Sequence, residues 1–146
     1  MCSSDLITIT DNDPMPDLAQ DSDGFVSPSE YPSMTKVWAD EFDGTSLDAA
    51  SWNYDIGDGC SQGICGWGNE ELEQYSSDTS ASRLLNGRLV IKASKAGDGY
   101  RSARINSRGK REFTFGRIDF RARLPKGQGI FLEFSNLVMA IVRAGA

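Results

Sequence analysis

Residues 66–75, GWGNEELEQY, gather the densest set of side chains able to do chemistry in this chain of 146 residues. Read as extended backbone, ELEQY sends Glu71, Glu73 and Tyr75 to one face, because successive strand side chains alternate. Two carboxylates beside an aromatic ring have the makings of an acid and a nucleophile for cleaving a glycosidic bond. Solvated, outward-facing glutamates would give the same spelling, and the local pattern alone favours that plainer reading. Trp67 and Asn69 say more. A tryptophan between two glycines has little to pack on, and an exposed ring beside an amide suits a sugar. The ring covers the axial C–H groups while the amide donates to one hydroxyl and accepts from another. The alternative is a tryptophan folded over its own loop as a lid.

The chain contains no histidine. That removes Ser–His–Asp and Cys–His nucleophilic chemistry and histidine-based zinc sites. Proton transfer would fall to carboxylates, Tyr, Lys or Cys. The cysteines are Cys2, Cys60 and Cys65. Cys60 and Cys65 bracket SQGI in a glycine-rich loop, where a short-loop disulfide is the preferred expectation and two reduced thiols the alternative. A zinc pair would need two more ligands, and none is near. A disulfide implies an oxidising compartment, and Cys2 would be left over.

Charge is uneven along the chain. Residues 1–48 carry eleven acids and one base, Lys36, whereas residues 101–126 carry nine bases and two acids, Glu112 and Asp119. A basic face for an anionic polymer is one reading. Solvated outer faces of strands are the other, favoured because a net charge of −6 repels a polyanion. No segment is long and apolar enough for a membrane-spanning helix. The start, MCSSDL, lacks the basic and apolar regions of a signal peptide.

The elements that must position these residues read as short strands. ITIT (7–10) is β-branched and is stopped by DNDP. An acidic, Pro- and Ser-rich stretch without periodicity follows and reads as a linker over 14–35. From Lys36 the pattern predicts strands at KVWADEF (36–42) and SWNYDI (51–56). Asn86-Gly87 predicts a two-residue hairpin, after which Leu89, Ile91 and Ala93 share a face. RSARINS (101–107) puts Ala103 and Ile105 on one face and Ser102, Arg104 and Asn106 on the other. EFTFGRIDFRARL (112–124) predicts a strand pair whose apolar phase switches at Gly116, as a bulge or bend would make it do. FLEFSNLVMAIVRAGA (131–146) could be helix or strand. Many short strands between turns indicate an all-β sandwich or barrel.

The sequence from Lys36 to Ile130 carries, in order, VWADEFDG, GWGNEEL, YRSARI, FTFGRIDFRARLP and KGQGI. This series resembles the first half of a glycoside hydrolase family 16 domain of the laminarinase (endo-β-1,3-glucanase) type. The resemblance implies a jelly-roll β-sandwich of the concanavalin A-like kind, with β-glucan lying across the concave face. It implies retaining hydrolysis of β-1,3 or mixed-linkage glucan, with Trp67, Asn69 and Arg104 bordering the donor side of the cleft. It also implies a structural calcium on the convex side, with Glu41 and the Gly87 carbonyl as ligands, and no required cofactor. The expected partner is a β-glucan such as laminarin, not nucleic acid or a membrane, for a protein that is monomeric when full length and secreted or on the surface of a bacterial cell. ITITDNDP resembles the end of a Calx-β-type domain, which would place 1–13 in a preceding unit.

The family's continuation, a strand of the form E-I-D-I-x-E that supplies nucleophile and acid/base, has no counterpart among the 146 residues. Glu71-Leu72-Glu73 stands at a different motif, and Glu133 lies outside that context. The expectation is therefore a partial domain over 36–130, followed by a non-family tail at 131–146 produced by truncation or a frame change. Such a chain would lack hydrolytic activity. A non-catalytic sugar-binding module and a basic surface for anionic polysaccharide or nucleic acid are the alternatives.

Overall fold

The computed structural model describes residues 7–10, 30–125, 130–135 and 138–143. Cys2 and most of the stretch assigned to the linker lie outside the described residues. What is described is all-β, with two brief 3₁₀ turns, and its strands form three small sheets.

The hairpin at Asn86-Gly87 organises the first sheet. Strands β4 (Ser82–Leu84) and β5 (Leu89–Lys92) pair antiparallel with Leu84 opposite Leu89. The Leu85 N–H donates to the Arg88 carbonyl at 2.9 Å. Asn86 and Gly87 both take positive φ, 52° and 67°, which matches the twist of a tight hairpin. Strand β1 (Ile7–Thr10) lies parallel to β5 on its other side, and β9 (Ala122–Arg123) follows it. The ITIT segment thus pairs within the same sheet as the hairpin. Leu89, Ile91 and Ala93 are buried as their alternation predicts, and Val90 is buried too. Strand β5 is therefore covered on both faces, as an interior strand is.

The core gathers around it from Phe42, Trp52, Ala81, Leu89, Ile91, Ala93, Ala103 and Ile105. Removing one such aliphatic side chain from water contributes about 1.5–3 kcal/mol. The second sheet runs in the order β10 (Ile130–Ser135), β11 (Val138–Arg143), β8 (Arg104–Asn106), β2 (Asn53–Asp55). All its pairings are antiparallel. The third holds β3 (Glu73–Tyr75), β7 (Gly99–Ser102) and β6 (Ser94–Ala96). RSARINS is thereby divided at Ala103, its first half serving one sheet and its second half another. Ala103 and Ile105 point into the core.

Two predicted strands do not form. KVWADEF is irregular, held instead by Asp40, which accepts the Phe42 N–H at 2.9 Å and the Trp52 indole N–H at 2.6 Å. In EFTFGRIDFRARL only Ala122–Arg123 is strand. The chain bends at Gly116, with φ 138°, so the phase switch does mark a bend. The flanking Phe115 is 94% exposed, and Ile118, Phe120 and Leu124 are also exposed. Alternation makes a strand only where neighbouring strands supply hydrogen bonds and an apolar surface. Here a strand partner meets Ala122–Arg123 and the Phe113 ring lies against Trp38, while Phe115 between them stays exposed.

Candidate functional site

Glu71, Glu73 and Tyr75 do share a face, and it is the inner one. Glu71 is 7% exposed, Glu73 1% and Tyr75 1%, while the apolar Leu72 between them is 46% exposed. A strand that buries its acids and exposes its leucine reverses the usual order. Buried charges need specific partners to offset desolvation, and Glu71 has them. Its Oε2 accepts the Tyr75 hydroxyl at 2.7 Å and its Oε1 accepts Arg104 Nη1 at 3.3 Å. Burial, and then this bond to a carboxylate, push the Tyr75 phenol far above its usual range, so Tyr75 keeps its proton and donates it to Glu71.

Arg104 is the hub of the cluster. Its Nε lies 3.3 Å from Asp55 Oδ2 and its Nη1 3.3 Å from Glu71 Oε1. Its guanidinium carbon sits 5.1 Å from the centre of the Trp67 ring, a cation–π contact. Asp55 arrives by register, since it is directly opposite Arg104 in the antiparallel pair β2–β8, where opposite charges attract. Ser102, one residue before Ala103 and in register with Tyr75, is fully buried. Its hydroxyl has no hydrogen-bond partner among the described residues.

The loop that carries Trp67 is closed by a disulfide between Cys60 and Cys65. Two 3₁₀ turns, Cys60–Gln62 and Cys65–Gly68, lie within it. Gly59 is buried at φ 81°, and a Cβ there would run into the Ile64 carbonyl oxygen and sit 3.2 Å from Trp67. The Trp67 amide donates to the Asp58 carbonyl at 3.2 Å, and its indole N–H to the Gly57 carbonyl at 3.2 Å. Hydrogen bonds from the Cys60 amide and the Gln74 side chain hold the Asp58 carboxyl below its usual range. Trp67 itself has φ 51° and Glu70 φ 57°. Non-glycine residues in that region are strained, and such strain gathers at functional sites.

The structure brings Trp67 and Arg104 together, though not as the sequence suggested for Trp67. The ring is partly folded over its own loop, and Arg104 and Tyr75 pack against it, the latter with ring centres 5.9 Å apart. Asn69, two residues on, is exposed, and its backbone N–H donates to the Gly66 carbonyl. Glu71 and Glu73 both face the interior. Glu71 has both oxygens engaged within the protein, and Glu73 is 1% exposed. Asp55 and the donor role of Tyr75 were not foreseen. The one signal for Asp55 is its place in SWNYDI opposite the Arg104 face, which appears only once the two strands are paired. Glu41 and Gly87 do lie together. The Glu41 carbonyl oxygen is 3.8 Å and Asp43 Oδ1 3.1 Å from where a Gly87 Cβ would stand, and Glu41 Oε2 is buried without a partner among the described residues. No group of three or more His, Cys, Asp or Glu side chains that could hold a metal occurs among the described residues.

No family model matches the chain, whereas individual proteins do. Glucan endo-1,3-beta-glucosidase A1 of Niallia circulans is 35% identical over 82% of this chain and 20% of its own length. The beta-glucanase of Rhodothermus marinus is 42% identical over 67% of this chain and 34% of its own. The laminarinase catalytic domain of Thermotoga maritima superposes with a TM-score of 0.57 at 43% identity, over 66% of this chain and 40% of that domain. The chain thus spans between a fifth and two fifths of these relatives. Small sheets with that superposition are part of a jelly roll. Over the part they share, the chain is homologous to the endo-1,3-β-glucanases and laminarinases of glycoside hydrolase family 16.

Proposed function

We propose that residues 36–130 supply the sugar-binding wall of a laminarinase-type β-glucan hydrolase, and that the 146 residues bind β-glucan without cleaving it. The observation that carries this reading is Arg104, held between Asp55 and Glu71 against Trp67, with Asn69 exposed two residues further along the same loop. A fixed cationic donor beside an aromatic ring and an amide suits neutral sugar hydroxyls. Cleavage by the retaining route needs two carboxyl groups about 5–5.5 Å apart across the scissile bond. The sequence has no E-x-D-x-E or E-x-D-x-x-E, and Glu71 and Glu73 are spent on the interior.

Several basic residues of 101–126 are engaged locally, which weighs against an anionic polymer. Lys110 donates to the Trp52 carbonyl, Arg111 to Ser51 Oγ, and Arg117 pairs with Asp119 at 2.7 Å. The disulfide fits an oxidising, extracytoplasmic location. Calcium is a further part of the proposal. Oxygen donors from Glu41 and Gly87 suit that ion, and would pin the hairpin turn to residues 41–43. A higher melting temperature in calcium than in chelator would support it.

The test combines affinity electrophoresis in laminarin with a reducing-sugar assay on protein freed of host glucanase. Retardation without product is expected. No retardation would refute the binding wall, and turnover that disappears in Glu71→Gln or Glu73→Gln would refute the absence of catalysis.

A further inference from the structure

The cluster under Trp67 is built at a cost that packing does not explain. Glu71 has a side chain 1% exposed, and Arg104 and Asp55 are each 14% exposed. Where stability alone is the end, well-packed apolar side chains usually serve as well as a buried ion pair. Here the three charges come from three places in the chain. Asp55 is on β2, Glu71 just precedes β3 and Arg104 opens β8. Glu71 accepts a hydrogen bond from Nη1, and Asp55, 3.3 Å from Nε, attracts the same planar group by charge, so that the guanidinium is held from two sides. Trp67 then closes one face. A lone arginine would have to give up its rotamer freedom on meeting a ligand; one already fixed does not.

We propose that Asp55 and Glu71 are positioning residues for Arg104, with Tyr75 orienting Glu71 through its hydroxyl, so that the wall offers a preset donor to glucan. The idea rests on the glucan-binding reading, but the positioning itself is measurable without sugar. In the full chain, the exchange of the Arg104 Nε proton with water can be followed by side-chain ¹⁵N NMR. Affinity for laminarihexaose can be followed by tryptophan fluorescence in the same samples. Asp55→Asn, Glu71→Gln and the double variant are compared, with the amides of Ile91 and Ile105 as a check on the core.

The expected result is Arg104 exchange faster by about tenfold in each single variant and more in the double, since each removes a charge-assisted contact. Affinity should fall about tenfold or more in step, with the core amides unchanged. Should Glu71→Gln fail to fold, Asp55→Asn alone carries the comparison. Unchanged Arg104 exchange would overturn the proposal, as would released exchange with undiminished affinity. Release of Arg104 in a chain whose wild type binds no laminarihexaose would uphold the positioning and sink the glucan reading.

Discussion

Tyr75 keeps its proton because its hydroxyl is buried against a carboxylate. An unfolded tyrosine loses its proton near pH 10. The folded pKa is raised, so above about pH 10 the unfolded state releases a proton that the folded state retains. The stabilising term is complete below that pH and is lost as pH rises. Spectrophotometric titration should therefore find one tyrosine that ionises only on unfolding, and Tyr75→Phe should remove that one. Arg104→Ala tests the other side of the cluster. It leaves Glu71 and Asp55 facing each other without their cation, and removing one partner of a buried pair costs about 3–5 kcal/mol. Denaturant unfolding should show a loss of that order, larger than for an exposed arginine such as Arg101, whose pairing with Asp78 is solvated.

The disulfide loop and strand β3 act as a pair, the loop setting the ring and the strand setting the carboxylate. Gly59→Ala should destabilise by more than the roughly 1 kcal/mol of a strained φ, because its Cβ also meets the Ile64 carbonyl. Thermal unfolding measures it, and Gly63→Ala, with open space around its Cβ position, is the control that isolates the clash. Local chemistry made part of this architecture legible in the sequence. Asn86-Gly87 named its turn because Asn and Gly adopt positive φ at little cost, and a two-residue hairpin turn requires it at both positions. The shared face of Glu71, Glu73 and Tyr75 followed from a two-residue period. That this face points inward did not follow, since Asp55 and Arg104, which make burial tolerable, are 16 and 33 positions from Glu71. The strand expected at 36–42, and all but Ala122–Arg123 of those expected at 112–124, failed for the same reason. Their pattern fits a sheet, but a sheet strand is completed by neighbours that pattern does not supply.

At the scale of the molecule, the bent segment 113–124 presents Phe115, Ile118, Phe120 and Leu124 to solvent. Several large exposed apolar side chains in one short segment favour association. Sedimentation velocity on the isolated chain should show mass rising with concentration, and Phe115→Ser with Phe120→Ser should reduce that rise without altering the melting transition. A concentration-independent monomer would contradict it. The half-buried Tyr31 ties the front of the segment 30–35 to this region. Its hydroxyl donates to Asp119 at 2.6 Å while Arg117 lies 3.9 Å above its ring.

Gly57 joins the two parts of the wall through its own backbone. Its N–H donates to the Tyr75 carbonyl at 2.8 Å, and its carbonyl accepts both the Tyr75 N–H at 2.9 Å and the Trp67 indole at 3.2 Å. Ring and strand thus share one acceptor, so a displacement of Gly57 loosens both. Their protons should therefore share one opening event, and local openings of that kind appear in hydrogen exchange as groups with a common free energy. The Trp67 indole, the Gly57 amide and the Tyr75 amide should exchange at rates that rise together with mild denaturant. The wall would then be a single kinetic unit, either fully assembled or fully open.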